Sequence, residues 1–202
     1  VRNMKELVWM RMRERQERAL RRERERMKIA QNGLSSEGVT LDREKIVLLS
    51  DSHGKGLAGL LGSRLPEYEV IGYVYPNGTS RYILQNIEYK VTSCRFIIIL
   101  VGTNDFEVNL NTKKELQRAF KSLKSVRQTI VSALPNRWDW YKGSNDIVKM
   151  NKKLKRLCRV SKSQFFKWKS FEPYHYTSSG LHLNLEGKQK LADMFCRRIL
   201  KM

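Results

Sequence analysis

Apolar and polar positions from residue 45 onward switch between two periods. Lys45–Leu49 (KIVLL) predicts a short buried strand, and Tyr68–Val74 alternates loosely as a second. Arg95–Val101 (RFIIILV) is a continuous β-branched run, the pattern of a central parallel strand covered on both faces. Gln128–Leu134 and Ser163–Trp168 predict a fourth and a fifth strand. Between these runs the period becomes helical. Lys55–Leu65 follows the first strand, and Tyr82–Val91 places Ile83, Ile87 and Val91 on one face. Thr112 with Glu115 predicts a capping box that opens a helix with Leu116, Ala119, Phe120 and Leu123 inward. Asp146–Cys158 turns Ile147, Met150, Leu154 and Leu157 inward, and Glu186–Leu200 does the same with Leu191, Met194, Phe195 and Ile199. Strands and helices that alternate in this way predict an α/β domain: three layers, with a five-stranded parallel sheet flanked by helices on both faces.

Residues 1–33 break the pattern. Arg11–Lys28 is almost entirely Arg, Glu and other helix formers, without Gly or Pro, and predicts an N-terminal basic helix. Glu14/Arg18 and Glu17/Arg21 are i,i+4 pairs with the acid on the N-terminal side, the more favourable orientation. Between Arg13 and Arg26 only Ala19 and Leu20 are apolar, too few for a coiled-coil seam. Residues 34–40 are a flexible linker by composition, and residues 41–202 form the globular domain.

The chain has 202 residues, which sets one domain and an appended arm as the expectation. Its 40 Lys and Arg against 20 Asp and Glu leave a formal charge of +20. Residues 1–33 carry 11 basic and 5 acidic side chains and the rest of the chain 29 and 15, so the body is basic as well as the arm. A field of this sign draws polyanions: RNA, DNA or an acidic surface. Cys94, Cys158 and Cys196 are odd in number and widely spaced, so neither a disulfide framework nor a zinc site is expected. They read as reduced core thiols in an intracellular, cytoplasmic protein, with the nucleus left open. No run approaches the ~20 apolar residues of a membrane span. The start at Val1, without Met, predicts a piece of a longer protein.

Four blocks fall at the carboxyl ends of predicted strands or just before the last helix, where sites in such sheets lie. Ser50-Asp51-Ser52-His53 follows strand one, Asn77-Gly78 follows strand two, Gly102-Thr103-Asn104-Asp105 follows strand three, and Ser179-Gly180-Leu181-His182-Leu183-Asn184 precedes the final helix. Taken singly, each is equally an N-cap or a turn. Taken together, over about residues 45–202, they resemble the SGNH (GDSL-type) hydrolase superfamily. The resemblance implies a flavodoxin-like sheet, with Ser52 as nucleophile and His182 as general base. It also implies an oxyanion hole from the amides of Ser52 and Gly78 and the side chain of Asn104, with no cofactor and no metal. The substrate would be a small acyl ester. Two positions depart from the family pattern. Ser50 replaces its leading glycine, and Ser179 stands where the acid three residues before the histidine belongs, a loss that costs serine-protease triads about 10⁴-fold in kcat. Glu172 is an acid close by in sequence. His53 adjoins the nucleophile, while His175, in Tyr174-His175-Tyr176, reads as a packed or surface residue.

A rival reading comes from charge. Lys149–Lys169 holds nine basic residues and no acid. Lys152, Lys153, Lys155, Arg156 and Arg159 fall on the outer face of a helix, and Lys162 follows it. Together with Arg11, Arg15, Arg18 and Arg22 of the arm they are candidate phosphate contacts. Phe165, Phe166 and Trp168 lie among these charges and are expected in the core. Lys113, Lys114, Arg118, Lys121, Lys124 and Arg127 make a second basic helix. The arm's Met4, Leu7, Val8 and Met10 leave self-association through the N-terminal helix open. The first function expected is a serine-type ester hydrolase in a nucleic-acid-associated protein. The alternative is an inactive SGNH-like domain that binds RNA through its basic faces. Inactive RNA-binding domains such as the OSK domain of Oskar, and esterase-like domains encoded by retrotransposons, share this pairing in character rather than in motif.

Overall fold

A computed structural model describes residues 43–106, 111–123, 128–139 and 144–202. The arm, the linker, Arg11, Arg15, Arg18, Arg22, Lys124 and Arg127 lie outside the described residues.

Five strands form one parallel sheet: β1 Glu44–Ser50, β2 Tyr68–Val74, β3 Cys94–Leu100, β4 Gln128–Ser132 and β5 Gln164–Phe166, in the order β2-β1-β3-β4-β5. This is the flavodoxin-like doubly wound order, and it puts the two most apolar strands, β1 and β3, side by side at the centre. Side chains alternate between the faces along each strand. Val47, Leu49, Ile97, Ile99 and Val131 join one buried cluster, while Ile46, Leu48, Phe96, Ile98 and Ile130 join the other. Each fully buried isoleucine contributes about 2–3 kcal/mol of transfer free energy.

Among the described residues six helices cover the sheet: α1 Leu57–Arg64, α2 Ser80–Leu84, α3 Ile87–Lys90, α4 Thr112–Ser122, α5 Ser144–Val160 and α6 Leu185–Ile199. α1 and α6 share one face, where Leu57, Leu61, Leu191 and Phe195 meet and Arg64 Nε pairs with Asp193 at 2.6 Å. α2 to α5 cover the other face.

Two local expectations are corrected. The single helix predicted over Tyr82–Val91 is two short ones, because Asn86 sits in the left-handed region at φ 53° and breaks the ladder between them. Thr112 does not cap α4. Asn111 does, accepting the Lys114 N–H at 3.2 Å, while the Thr112 hydroxyl donates to Asp105 at 2.6 Å. Among the candidate aromatics only Phe166 is deep core, at 3% exposure, whereas Phe165 and Trp168 are half-buried.

Candidate active site

Chain order at the carboxyl rim of the sheet brings the loops together. β1 ends at Ser50, and Ser52–Gly54 forms a 3₁₀ turn directly after it. Asp51 caps that turn, its Oδ1 accepting the His53 N–H at 3.0 Å, while Oδ2 accepts the Thr103 N–H at 3.4 Å from the loop after β3. Asp51 is fully buried, so one carboxylate fixes both the nucleophile turn and its neighbouring loop. Ser50 is accommodated because Gly54 has no side chain: a Cβ there would lie 2.4 Å from Ser50 Cβ.

The histidine block folds back on itself. Tyr176 and Leu183 form an antiparallel bridge, Thr177 N–H donates to His182 O at 2.8 Å, and Gly180 takes φ 71° to close the turn. The result places His182 Nε2 3.0 Å from Ser52 Oγ, across 130 positions of sequence. Burial is the main reason the His182 imidazole titrates below the ordinary histidine value, and repulsion from His53 lowers it further. It therefore stands neutral at pH 7, in the state a general base needs.

Ser179 does not take over the acid's role. Its hydroxyl lies 3.0 Å from Thr177 Oγ1 and accepts the Leu181 N–H at 3.4 Å, stabilising the turn instead. Among the described residues no carboxylate pairs with His182 within 4.0 Å. Two residues shape its surroundings in ways that sequence spacing did not reveal. His53, fully buried, bridges Asp51 Oδ1 (3.1 Å from Nδ1) and the Leu181 carbonyl, which accepts from Nε2 at 3.1 Å. That bond fixes the backbone immediately before His182 to the nucleophile turn. Asp139 is the second: the Trp138 N–H donates to Gly180 O at 3.0 Å, bringing the Arg137–Asp139 ion pair up to the histidine turn. The Arg137 guanidinium is the main cause that holds the Asp139 carboxyl below the usual carboxylate range, and the charge of His182 adds to it. Glu172 is elsewhere, capping the short Pro173–His175 turn, where its own N–H donates to His175 Nδ1 at 3.0 Å.

The three expected oxyanion donors differ. Ser52 is the first residue of its turn, a position whose N–H has no acceptor within the turn. The Asn104 amide nitrogen donates to Gly78 O at 3.0 Å and retains a second N–H. The Gly78 N–H, in contrast, already donates to Tyr75 O at 2.9 Å and can serve a substrate only by sharing that proton. Asp105 completes the frame. It is 99% buried, with its titration pushed up mainly by that burial, and it accepts from the Ser80 N–H (2.8 Å), the Ser80 hydroxyl (2.5 Å) and the Thr112 hydroxyl (2.6 Å). These bonds hold the Gly78 and Asn104 loops in register.

Lys152, Lys153, Lys155, Arg156 and Arg159 are all exposed, as their helical face predicts, and so is Lys162 beyond the helix end. Cys94, Cys158 and Cys196 are buried free thiols, and burial pushes each up to about 11. Among the described residues no group of three metal-ligating side chains converges, and no helix is long and apolar enough to cross a membrane.

No protein-family model matches the chain, and no curated protein matches it by sequence. Solved structures do match. A GDSL-like lipase from Bacteroides thetaiotaomicron superposes with a TM-score of 0.69 at 16% identity, covering 87% of this chain and 97% of its own. An acetylxylan esterase from Geobacillus stearothermophilus, in a variant form, gives 0.64 at 16% identity over 77% of this chain and 94% of its own. A carbohydrate acetylesterase from Sinorhizobium meliloti gives 0.62 at 15% identity over 79% and 99%. The described domain thus has the SGNH-hydrolase α/β fold.

Proposed function

We propose that the domain is a serine-type ester hydrolase that uses Ser52 and His182. The observation that carries this reading is the 3.0 Å contact between Ser52 Oγ and His182 Nε2, set between segments far apart in the chain. The hydroxyl oxygen attacks the ester carbonyl while Nε2 takes its proton. The carbonyl π pair moves onto oxygen, where the Ser52 amide and Asn104 hold it, a contribution of about 10²–10³-fold per donor. Collapse of the intermediate breaks the C–O bond, and the leaving alcohol recovers the proton from Nε2. Water then attacks the acyl-serine by the same route, with His182 again moving the proton, and releases the acid and the free hydroxyl. The tether from His53 to Leu181 O orients the imidazole where the usual acid is missing.

The substrate on this reading is a small acyl ester; the structural neighbours, named as a lipase and two acetyl esterases, support ester chemistry in general. The basic faces suit a nucleic-acid-associated setting like that of esterase-like domains encoded by retrotransposons. The second reading, an inactive domain that binds RNA, draws its support from the turn-bound Ser179 hydroxyl and the committed Gly78 amide. Hydrolysis of p-nitrophenyl acetate decides between them. The account expects release of p-nitrophenol that Ser52→Ala slows about 100-fold; equal rates for the two proteins would leave only the second reading.

A further inference from the structure

At the carboxyl ends of β4 and β5, on the far side of Trp168 from His53, whose rings lie 6.3 Å apart, the described residues form a cleft of about 550 Å³ between α5 and the segment after β5. This is large enough for a small organic ligand. Phe165, Trp168, Phe171 and Tyr176 give it an aromatic lining. Lys152 and Lys155 of α5 and Lys167 after β5 add three exposed cations, against one acid, Glu172. The aromatic wall is preformed: Trp168 Nε1 donates to Ser132 Oγ at 2.7 Å, and the Trp168 ring sits 4.8 Å from that of Phe171.

We infer that this cleft takes an unpaired nucleotide of a single-stranded nucleic acid, its base against Trp168 and Phe165 and its flanking phosphates at Lys152, Lys155 and Lys167. Planar bases stack on aromatic side chains irrespective of sequence, and lysines neutralise the backbone. A duplex keeps its bases stacked inside and cannot offer one to a cleft. The Asp and Glu side chains of an acidic peptide would meet the lysines but carry no ring to stack on the aromatic wall. The inference deepens the nucleic-acid part of the reading above and is independent of ester hydrolysis.

The test uses the full chain and a fluorescein-labelled single-stranded RNA of about 12 nucleotides, within the site size such grooves cover. A duplex and an abasic oligomer of equal length serve as competitors. Lys152→Glu/Lys155→Glu is compared with Lys114→Glu/Lys121→Glu, which makes the same charge change at exposed positions of α4. The cleft pair is expected to weaken binding at least tenfold more than the α4 pair. It is also expected to flatten the salt dependence by about 1.4 in log–log slope, two phosphate contacts' worth. Trp168→Leu is expected to weaken RNA about tenfold and to leave the abasic oligomer unchanged, while the lysine pair keeps the test independent of any packing role of that ring. Equal losses for the two charge variants, or no preference for RNA over the abasic oligomer, overturn the cleft while leaving nucleic-acid association standing. Absence of RNA binding by the unaltered chain removes both.

Discussion

Replacing His182 with alanine is expected to cut ester turnover about 100-fold, with KM changing little. The size follows from what is missing. A full serine triad is worth about 10⁶ in kcat and its acid alone about 10⁴, which leaves about 10² for a serine–histidine pair without one. Ser52→Ala is expected to cost the same, and the double variant no more than either single one, because a proton acceptor without its donor contributes nothing. The residual rate reports the Ser52 amide and Asn104. The check is steady-state hydrolysis of p-nitrophenyl acetate by the two single variants and the double. Losses that multiply would mean that the two side chains act separately, despite their 3.0 Å contact.

The second large effect is a gain. Ser179 is exposed, three residues before His182, so an acidic side chain there has solvent space in which to turn toward the imidazole. Ser179→Asp is expected to raise kcat about 10- to 100-fold, below the ~10⁴-fold ceiling of an ideally placed acid. The pH profile supplies the sign. Burial, and after it His53, holds His182 below its ordinary 6.5, so the unaltered chain should lose activity only as pH falls below that value. A carboxylate beside Nδ1 favours the imidazolium and must move that acid limb upward. A rate gain with the limb unmoved would mean that the new acid acts elsewhere. A limb that rises without a rate gain would mean that proton transfer does not limit turnover.

Much of the architecture was legible because two strands declare themselves. β1 and β3 are continuous apolar runs, and buried parallel strands admit little else. Three of the four loop blocks followed from their place after β1, β2 and β3, and the fourth from its place before the last helix. What stayed hidden is long-range. Nothing near Thr112 says that its hydroxyl belongs to Asp105, so Asn111 took the cap. The helical period runs on through Asn86 although the backbone does not. The link from His53 to Leu181 O spans 128 positions and involves a carbonyl, which carries no sequence signature at all. Asp139 reaches the histidine turn only because Gly180 leaves room: a Cβ there would meet the Asp139 nitrogen at 2.9 Å. The resemblance marks Ser179 only as the place where an acid is missing; that its hydroxyl meets Thr177 and the Leu181 amide needed the folded loop to appear.

The nucleophile itself gives the most direct test. A fluorophosphonate should form an Oγ–P bond at Ser52 and release fluoride, because its tetrahedral phosphorus copies the intermediate that the oxyanion donors hold. Intact-mass and peptide mass spectrometry of the full chain are expected to show one adduct, located on Ser52, absent from Ser52→Ala and much slower to form in His182→Ala. A chain that stays unlabelled, or one whose label survives Ser52→Ala, would contradict an activated Ser52 hydroxyl.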